Sequence, residues 1–523
     1  MPNLHVDANF PGGGVDHPRW EGNTLYFEAP LDHSPQSLWF YFRIRNGQGQ
    51  RLTLVQKGLE RVLGVRESRG YQPVVPVWRD GEEAAWQRVD ESAIAYTQEP
   101  LAFQFEIAPT QPVCYVAFCF PYLLRDWEAF AATLPREYVY CAQAGLTKAG
   151  RPFNRYLIRS PRHKPEHLLV VTARQHAGEV SGSYVLEGLL RRLTDGSPEM
   201  ESLLAKAALC VFPLMDLDCV QEGRYGKDQA PYDFNRDWRY EPFHPEIAGV
   251  YSQLEELCAQ YRLWWAFDLH APQPGGASYM PPSRCLKTDS PDWRKMWNLA
   301  IRYEDACAGR ASFHLKDVDT QVLNWGGMNN DGLTSFYFYA RWHCNNLGLE
   351  YSYHRDGEGR VLRVEDWHTL GCALAETLAD KLFDPALGEA PDRERIPAWA
   401  VDAPLQYWKS VRQVHGLQIT DTETTAVMTA QAGENSAWIT SPQREAGTAW
   451  QLTADRDTEL TLYASYYREG LLVSHGKPEA LHLAAGEPYV WQLPQAPISQ
   501  CQGTLSVIAR DLGGTLRICA VEA

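Results

Sequence analysis

The strongest constraint on what this chain can fold into is a regular alternation between residues 126 and 385. Four short apolar runs stand out: HLLVVTAR (167–174), ALCVFPLM (208–215), LWWAFDL (263–269) and LGLEYSY (347–353). Stretches with helical spacing accompany them at 183–193, 245–260, 291–308 and 364–383. Runs of this length that are apolar throughout are strands buried on both faces, because a half-exposed strand would alternate with polar residues. The helices in between supply the covering layers. Pro245 is placed to open its helix, where a missing N–H costs nothing. The pattern predicts an α/β domain: a mixed, largely parallel sheet with helices on both faces.

On either side the texture changes. Residues 1–125 carry alternating segments such as SLWFYFRIR (37–45) and LAFQFEI (101–107), which suit half-buried antiparallel strands. They predict an N-terminal β-sandwich. A polar, proline-bearing stretch then separates the α/β domain (126–390) from residues 397–523, where short strands such as ELTLYAS (459–465) return. Three units also suit the length, at roughly 150 residues per domain.

The formal net charge is −16. A protein that grips nucleic acid or an anionic membrane needs a basic footprint, so neither partner is expected. The opening MPNLHVDANFPGGG lacks the basic and apolar regions of a secretory leader. No apolar run approaches the ~18 residues of a membrane span. The cysteines are scattered without a CxxC pair, which fits reduced thiols and a cytoplasmic location.

Chemistry concentrates at the strand ends. The segment VVTARQHAGE puts His176 and Glu179 just beyond the first apolar run, and FDLH puts His270 at the end of the third. In open α/β sheets sites lie beyond the carboxyl ends of the strands. A catalytic zinc takes three N/O ligands and leaves one position open. HxxE alone arises often by chance, but a second strand-end histidine completes a His2Glu set. Between them, Asp233-Phe-Asn-Arg-Asp-Trp238 offers Asn235 and Arg236 as a grip for a carboxylate. Asp233 is placed to orient a metal-binding histidine through its second ring nitrogen. Glu350 stands alone in an apolar strand, and an unpartnered buried carboxylate is costly, so it reads as part of a cleft. His343, His354 and His368 read as surface or helix-face residues.

Together the motifs TARxHxGE, DxNRxW, DLH and LGLE resemble the metallocarboxypeptidase (funnelin) family, most closely its cytosolic carboxypeptidase branch. The N-terminal segments WFYFRIRN and AFCFPY resemble that branch's β domain, so the likeness runs from about residue 37 to 385. It implies a carboxypeptidase-like fold and one zinc ion per chain on His176, Glu179 and His270. It also implies that Asn235 and Arg236 bind the substrate's terminal carboxylate, that Arg224 stabilises the oxyanion, and that Glu350 is the general base. Tyr337 or Tyr339 would cap the substrate. Ala177 replaces the usual proline, and the loop from Arg224 to Asn235 is about two residues longer than in the branch.

These residues imply a zinc hydrolase that removes the C-terminal residue of a peptide or protein. A deacylase acting on a small carboxylate-bearing amide would use the same residues, and a non-catalytic binding protein on the same scaffold is a third reading. The cations with which deglutamylating members hold an acidic side chain have no clear counterpart here; Arg341 is the only one in 334–341. If that stretch is a strand, Arg341 shares a face with Tyr337 and Tyr339. The expectation is an aromatic pocket that prefers large hydrophobic C-terminal residues. Sequence leaves the oligomeric state and the role of 397–523 open.

Overall fold

The computed structural model describes residues 4–521 except 32–33, 35, 37, 60–73, 99–100, 281–288, 316–331, 398–408, 413–417, 430–435, 446–447 and 511. At its centre is a six-stranded sheet ordered Val139–Leu146, Pro152–Ile158, Ala207–Phe212, His167–Ala173, Arg262–His270 and Asn345–Glu350. The first two pairings are antiparallel. The remaining three are parallel.

Alternate residues of the central strands enter two separate cores, which explains why the runs are mostly apolar. Leu169, Val171, Trp265, Phe267, Leu347 and Leu349 join one cluster, under helices Ser181–Leu193, Pro291–Cys307 and Val364–Lys381. Leu168, Val170, Cys210, Leu263 and Ala266 join the other, under Pro245–Cys258 and Thr334–Trp342. The fold is thus the expected α/β sheet with helices on both faces. Pro245 occupies the first helical turn as expected.

Before this sheet lie two five-stranded sheets from the first 117 residues. Arg88 links them to the centre, donating to the carbonyls of Val75, Tyr353 and Leu362 at 2.6, 2.6 and 3.0 Å. After it, two further sheets enclose their own apolar cluster, which includes Trp450, Leu462, Val507 and Ile518. No helix among the described residues is long and apolar enough to cross a membrane.

Two local expectations are corrected. Residues Thr334–Trp342 form a helix, not a strand. Arg341 therefore lies one turn beyond Tyr337 and Phe338 and points outward, pairing with Glu255 at 3.4 Å and Glu469 at 3.5 Å. His354 is fully buried, edge-on to Phe118 and 3.1 Å from an Arg88 nitrogen.

Candidate active site

Parallel pairing sets the candidate residues side by side. Strand Arg262–His270 lies between His167–Ala173 and Asn345–Glu350, with Ala173 opposite Leu269 and His270 opposite Glu350. His270 and Glu350 thus end neighbouring strands at one sheet edge. His176 reaches that edge through a turn that begins at Arg174, whose φ is +60°. Arg174 is buried, and its guanidinium donates to the Ala177 carbonyl at 2.9 Å, the Tyr122 carbonyl at 3.0 Å and Ser183 Oγ at 3.1 Å. Burial lowers its pKa to about 10. Gly178 is obligatory here, because a Cβ would lie 2.2 Å from the Tyr225 ring.

Ligand atoms of His176, Glu179 and His270 lie within 4.8 Å of one another, and all three residues are buried. Each histidine turns Nδ1 to the same carboxylate: His176 to Glu179 Oε1 and His270 to Glu179 Oε2, both at 2.8 Å. Each Nε2 meets another acid. His176 lies 3.0 Å from Asp233 Oδ2, and His270 lies 2.7 Å from Asp268 Oδ2. Asp268 also accepts from Thr172 Oγ1 at 2.7 Å and Gln175 Nε2 at 2.6 Å. Burial pulls the His176 pKa down, but Asp233 and Glu179 more than offset it and raise it to about 9. Burial pushes Glu179 up, yet His176, Lys227 and His270 hold it well below the usual carboxylate range.

Lys227 was not foreseen from the sequence. Its Nζ lies 2.8 Å from Glu179 Oε1 and 3.3 Å from the Ala271 carbonyl. The loop that delivers it is stitched in place: Gly178 N–H donates to the Tyr225 carbonyl at 2.8 Å, and the Tyr225 hydroxyl meets that of Tyr353 at 3.0 Å. Gly226 follows at φ +78°, with Asp216 Oδ2 only 2.7 Å from where a Cβ would sit. Ser34 of the N-terminal region, outside its strands, donates to the Lys227 carbonyl. Arg224 instead projects to Glu222, with Nε 3.3 Å from Oε2 and a side chain 34% exposed. The only sequence signal was the lengthened loop between Arg224 and Asn235.

Asn235 and Arg236 sit in a short 3-10 turn capped by Asp233, whose Oδ1 accepts from the Asn235 N–H at 2.7 Å. Asn235 Nδ2 lies 3.0 Å from His270 Nε2. Its Oδ1 accepts from the N–H and hydroxyl of Thr334 at 3.1 and 2.7 Å, another contact unseen in the sequence. Gly332 allows this approach, since a Cβ there would lie 1.9 Å from the Arg236 carbonyl. Arg236 donates through Nη1 to the Asn235 carbonyl at 2.9 Å, and its buried Nε has no partner among the described residues. Glu350 Oε2 is likewise buried and unpartnered. Burial raises the Glu350 pKa, against the opposing pull of Lys227 and His270. Tyr337 belongs to the core, stacked on Tyr251 at 4.3 Å. Tyr339 is half-buried, its ring 6.0 Å from His343.

Residues 124–380 match the family model described as zinc carboxypeptidase. Cytosolic carboxypeptidase 2 of Danio rerio is 26% identical over 267 residues, covering 46% of this chain and 36% of the relative. Cytosolic carboxypeptidase 6 of Caenorhabditis elegans is 21% identical over 425 residues, covering 73% and 91%. The chain spans about a third of the length of the curated relatives it first matches, 36% and 30%. A metallo-carboxypeptidase structure from Burkholderia cenocepacia superposes with a TM-score of 0.61 at 21% identity, over 72% of this chain and 98% of that one. That likeness concerns the fold.

Proposed function

Residues 124–380 are a zinc carboxypeptidase domain, and on that premise we propose that the chain removes C-terminal residues from peptides or proteins with one zinc ion bound by His176, Glu179 and His270. The observation that carries this reading is the convergence of both Nδ1 atoms on Glu179 while both Nε2 atoms meet carboxylates. Two imidazoles and a carboxylate form the donor set of a catalytic zinc, and acids behind the histidines fix their orientation. The group fits these residues. When bound, zinc supplies Lewis-acid polarisation of the scissile carbonyl and lowers the pKa of its water.

Every other role falls to side chains of the chain. Arg236, with Asn235 beside it, binds the terminal carboxylate through its guanidinium, which makes no ion pair among the described residues. Glu350 Oε2 takes the proton of the attacking water and returns it to the leaving amine. A carboxylate whose Oε2 has no partner among the described residues, and whose pKa burial raises, suits that shuttle. Lys227, rather than Arg224, brings positive charge to the developing oxyanion, because it is the cation held beside Glu179. Tyr339 remains the candidate for closing over the substrate. The pocket for the departing residue is apolar and aromatic and prefers large hydrophobic C-terminal residues, since Arg341 faces the surface. The curated relatives named cytosolic support a cytoplasmic location. No observation separately favours the small-amide deacylase.

A peptide panel differing only in its last residue tests the reading, with metal content measured alongside. Release of single C-terminal residues should stop on chelation and return with zinc. His270→Ala should lose both metal and activity. Full activity in metal-free protein would refute it.

A further inference from the structure

The C-terminal β unit touches the centre of the molecule at the segments that hold Asn235 and Arg236. Its strands Thr458–Arg468 and Leu471–His475 form a hairpin. The tip is Glu469 and Gly470, with φ of +52° and +79°. Positive φ at both central residues makes a tight two-residue connection that follows the twist of the strands. This compact tip reaches the end of helix Thr334–Trp342, where a Cβ on Gly470 would lie 3.4 Å from the Ala340 Cβ. Glu469 meets Arg341 at 3.5 Å. Leu471, 8% exposed, joins the cluster that contains Trp238, Tyr337 and Phe338. Next to it the Leu472 carbonyl accepts from the Tyr240 N–H at 2.8 Å, and the Arg468 guanidinium lies 5.1 Å from the centre of the Tyr240 ring.

Asn235 and Arg236 are held from both sides by what the hairpin touches. Downstream, the chain runs through Trp238, whose N–H donates to the Gly332 carbonyl at 2.9 Å, to Tyr240 on the hairpin. Across the site, Thr334 at the start of the helix binds Asn235, while Ala340 and Arg341 near the helix's end meet the hairpin. We infer that the C-terminal β unit is a positioning element for the carboxylate-binding segment, with Leu471, Leu472 and Arg468 as its positioning residues. This rests on the reading of Arg236 as the group that binds the substrate carboxylate. Without the hairpin, Tyr240 loses a backbone partner and the helix loses packing at its far end, so the guanidinium is no longer held in one place. A loosely held binding group costs affinity for the carboxylate, while His176, Glu179 and His270 stay joined through the Glu179 carboxylate and keep the metal.

The test uses full-length protein with Leu471→Ala, the conservative Leu471→Met and the milder surface change Arg468→Ala. A peptide with a free C-terminal carboxylate and its C-terminal amide are the substrates. Leu471→Ala should raise KM for the free acid about 10-fold, with the amide rate and zinc content unchanged. Leu471→Met should restore most of the loss, and Arg468→Ala should shift KM the same way by a smaller factor. Amide hydrogen exchange should quicken at residues 236–240 and stay unchanged at 176–179. Equal slowing of acid and amide, or unchanged exchange at Tyr240, would overturn the inference. If Arg236→Ala leaves the acid-to-amide ratio untouched, the reading of Arg236 fails, and the exchange measurement alone decides the hairpin's role.

Discussion

Replacing Arg236 with alanine isolates one interaction with little structural cost. The side chain makes one hydrogen bond, to the neighbouring Asn235 carbonyl, and no ion pair among the described residues. Removing it should change stability by no more than about 0.5 kcal/mol, as for other side chains that make few structural contacts. Its contribution to substrate binding should be far larger. A hydrogen bond to a charged group is worth roughly 1.5–3 kcal/mol. Two opposite charges about 4 Å apart near a protein surface attract by roughly 4 kcal/mol. A half-buried guanidinium facing a carboxylate should therefore contribute about 3 kcal/mol, or on the order of 100-fold in kcat/KM. The assay compares a peptide with its C-terminal amide on both proteins. Wild type should favour the free acid by about that factor, and Arg236→Ala should treat the two nearly alike. A variant that kept the preference would show that another group reads the carboxylate.

Glu350→Gln should keep the fold and the zinc yet lose activity by about four orders of magnitude, since it removes the proton acceptor and no metal ligand; near-normal turnover would place the base elsewhere. Lys227→Met should lower kcat about 100-fold, the usual cost of losing one oxyanion donor, while Arg224→Ala stays close to wild type; the reverse pattern in steady-state kinetics would restore Arg224 to that role. Glu246 is buried away from the metal ligands, and burial pushes its pKa from 4.5 up to about 8. A raised folded pKa favours the protonated fold, so this stabilisation is complete below pH 4.5 and lost as pH rises through about 8. Glu246→Gln should match wild type in thermal melts at pH 4.5 and exceed it at pH 9, by up to roughly 5 kcal/mol if the ionised carboxylate stays buried.

Periodicity and composition act locally, and what they govern was legible in the sequence. Strands His167–Ala173, Ala207–Phe212, Arg262–His270 and Asn345–Glu350 lie within a few residues of where predominantly apolar runs placed them, because burial on both faces admits few polar residues. The His176, Glu179 and His270 set was readable because a parallel sheet brings strand ends to one edge whatever the loops do. Only the tertiary structure decided what depends on direction. Arg224 and Lys227 are three residues apart in one loop; Gly226 and the contacts of Tyr225 turn Lys227 toward Glu179, while Arg224 turns to Glu222. The aromatic run at 334–342 has the composition of a strand, yet it is a helix because Tyr337 and Phe338, adjacent in sequence, both pack on Trp238. A strand would send adjacent side chains to opposite faces. The hairpin against Tyr240 and Ala340 joins residues more than a hundred positions apart, and its hydrogen bond is made by backbone atoms, which carry no signature in the sequence.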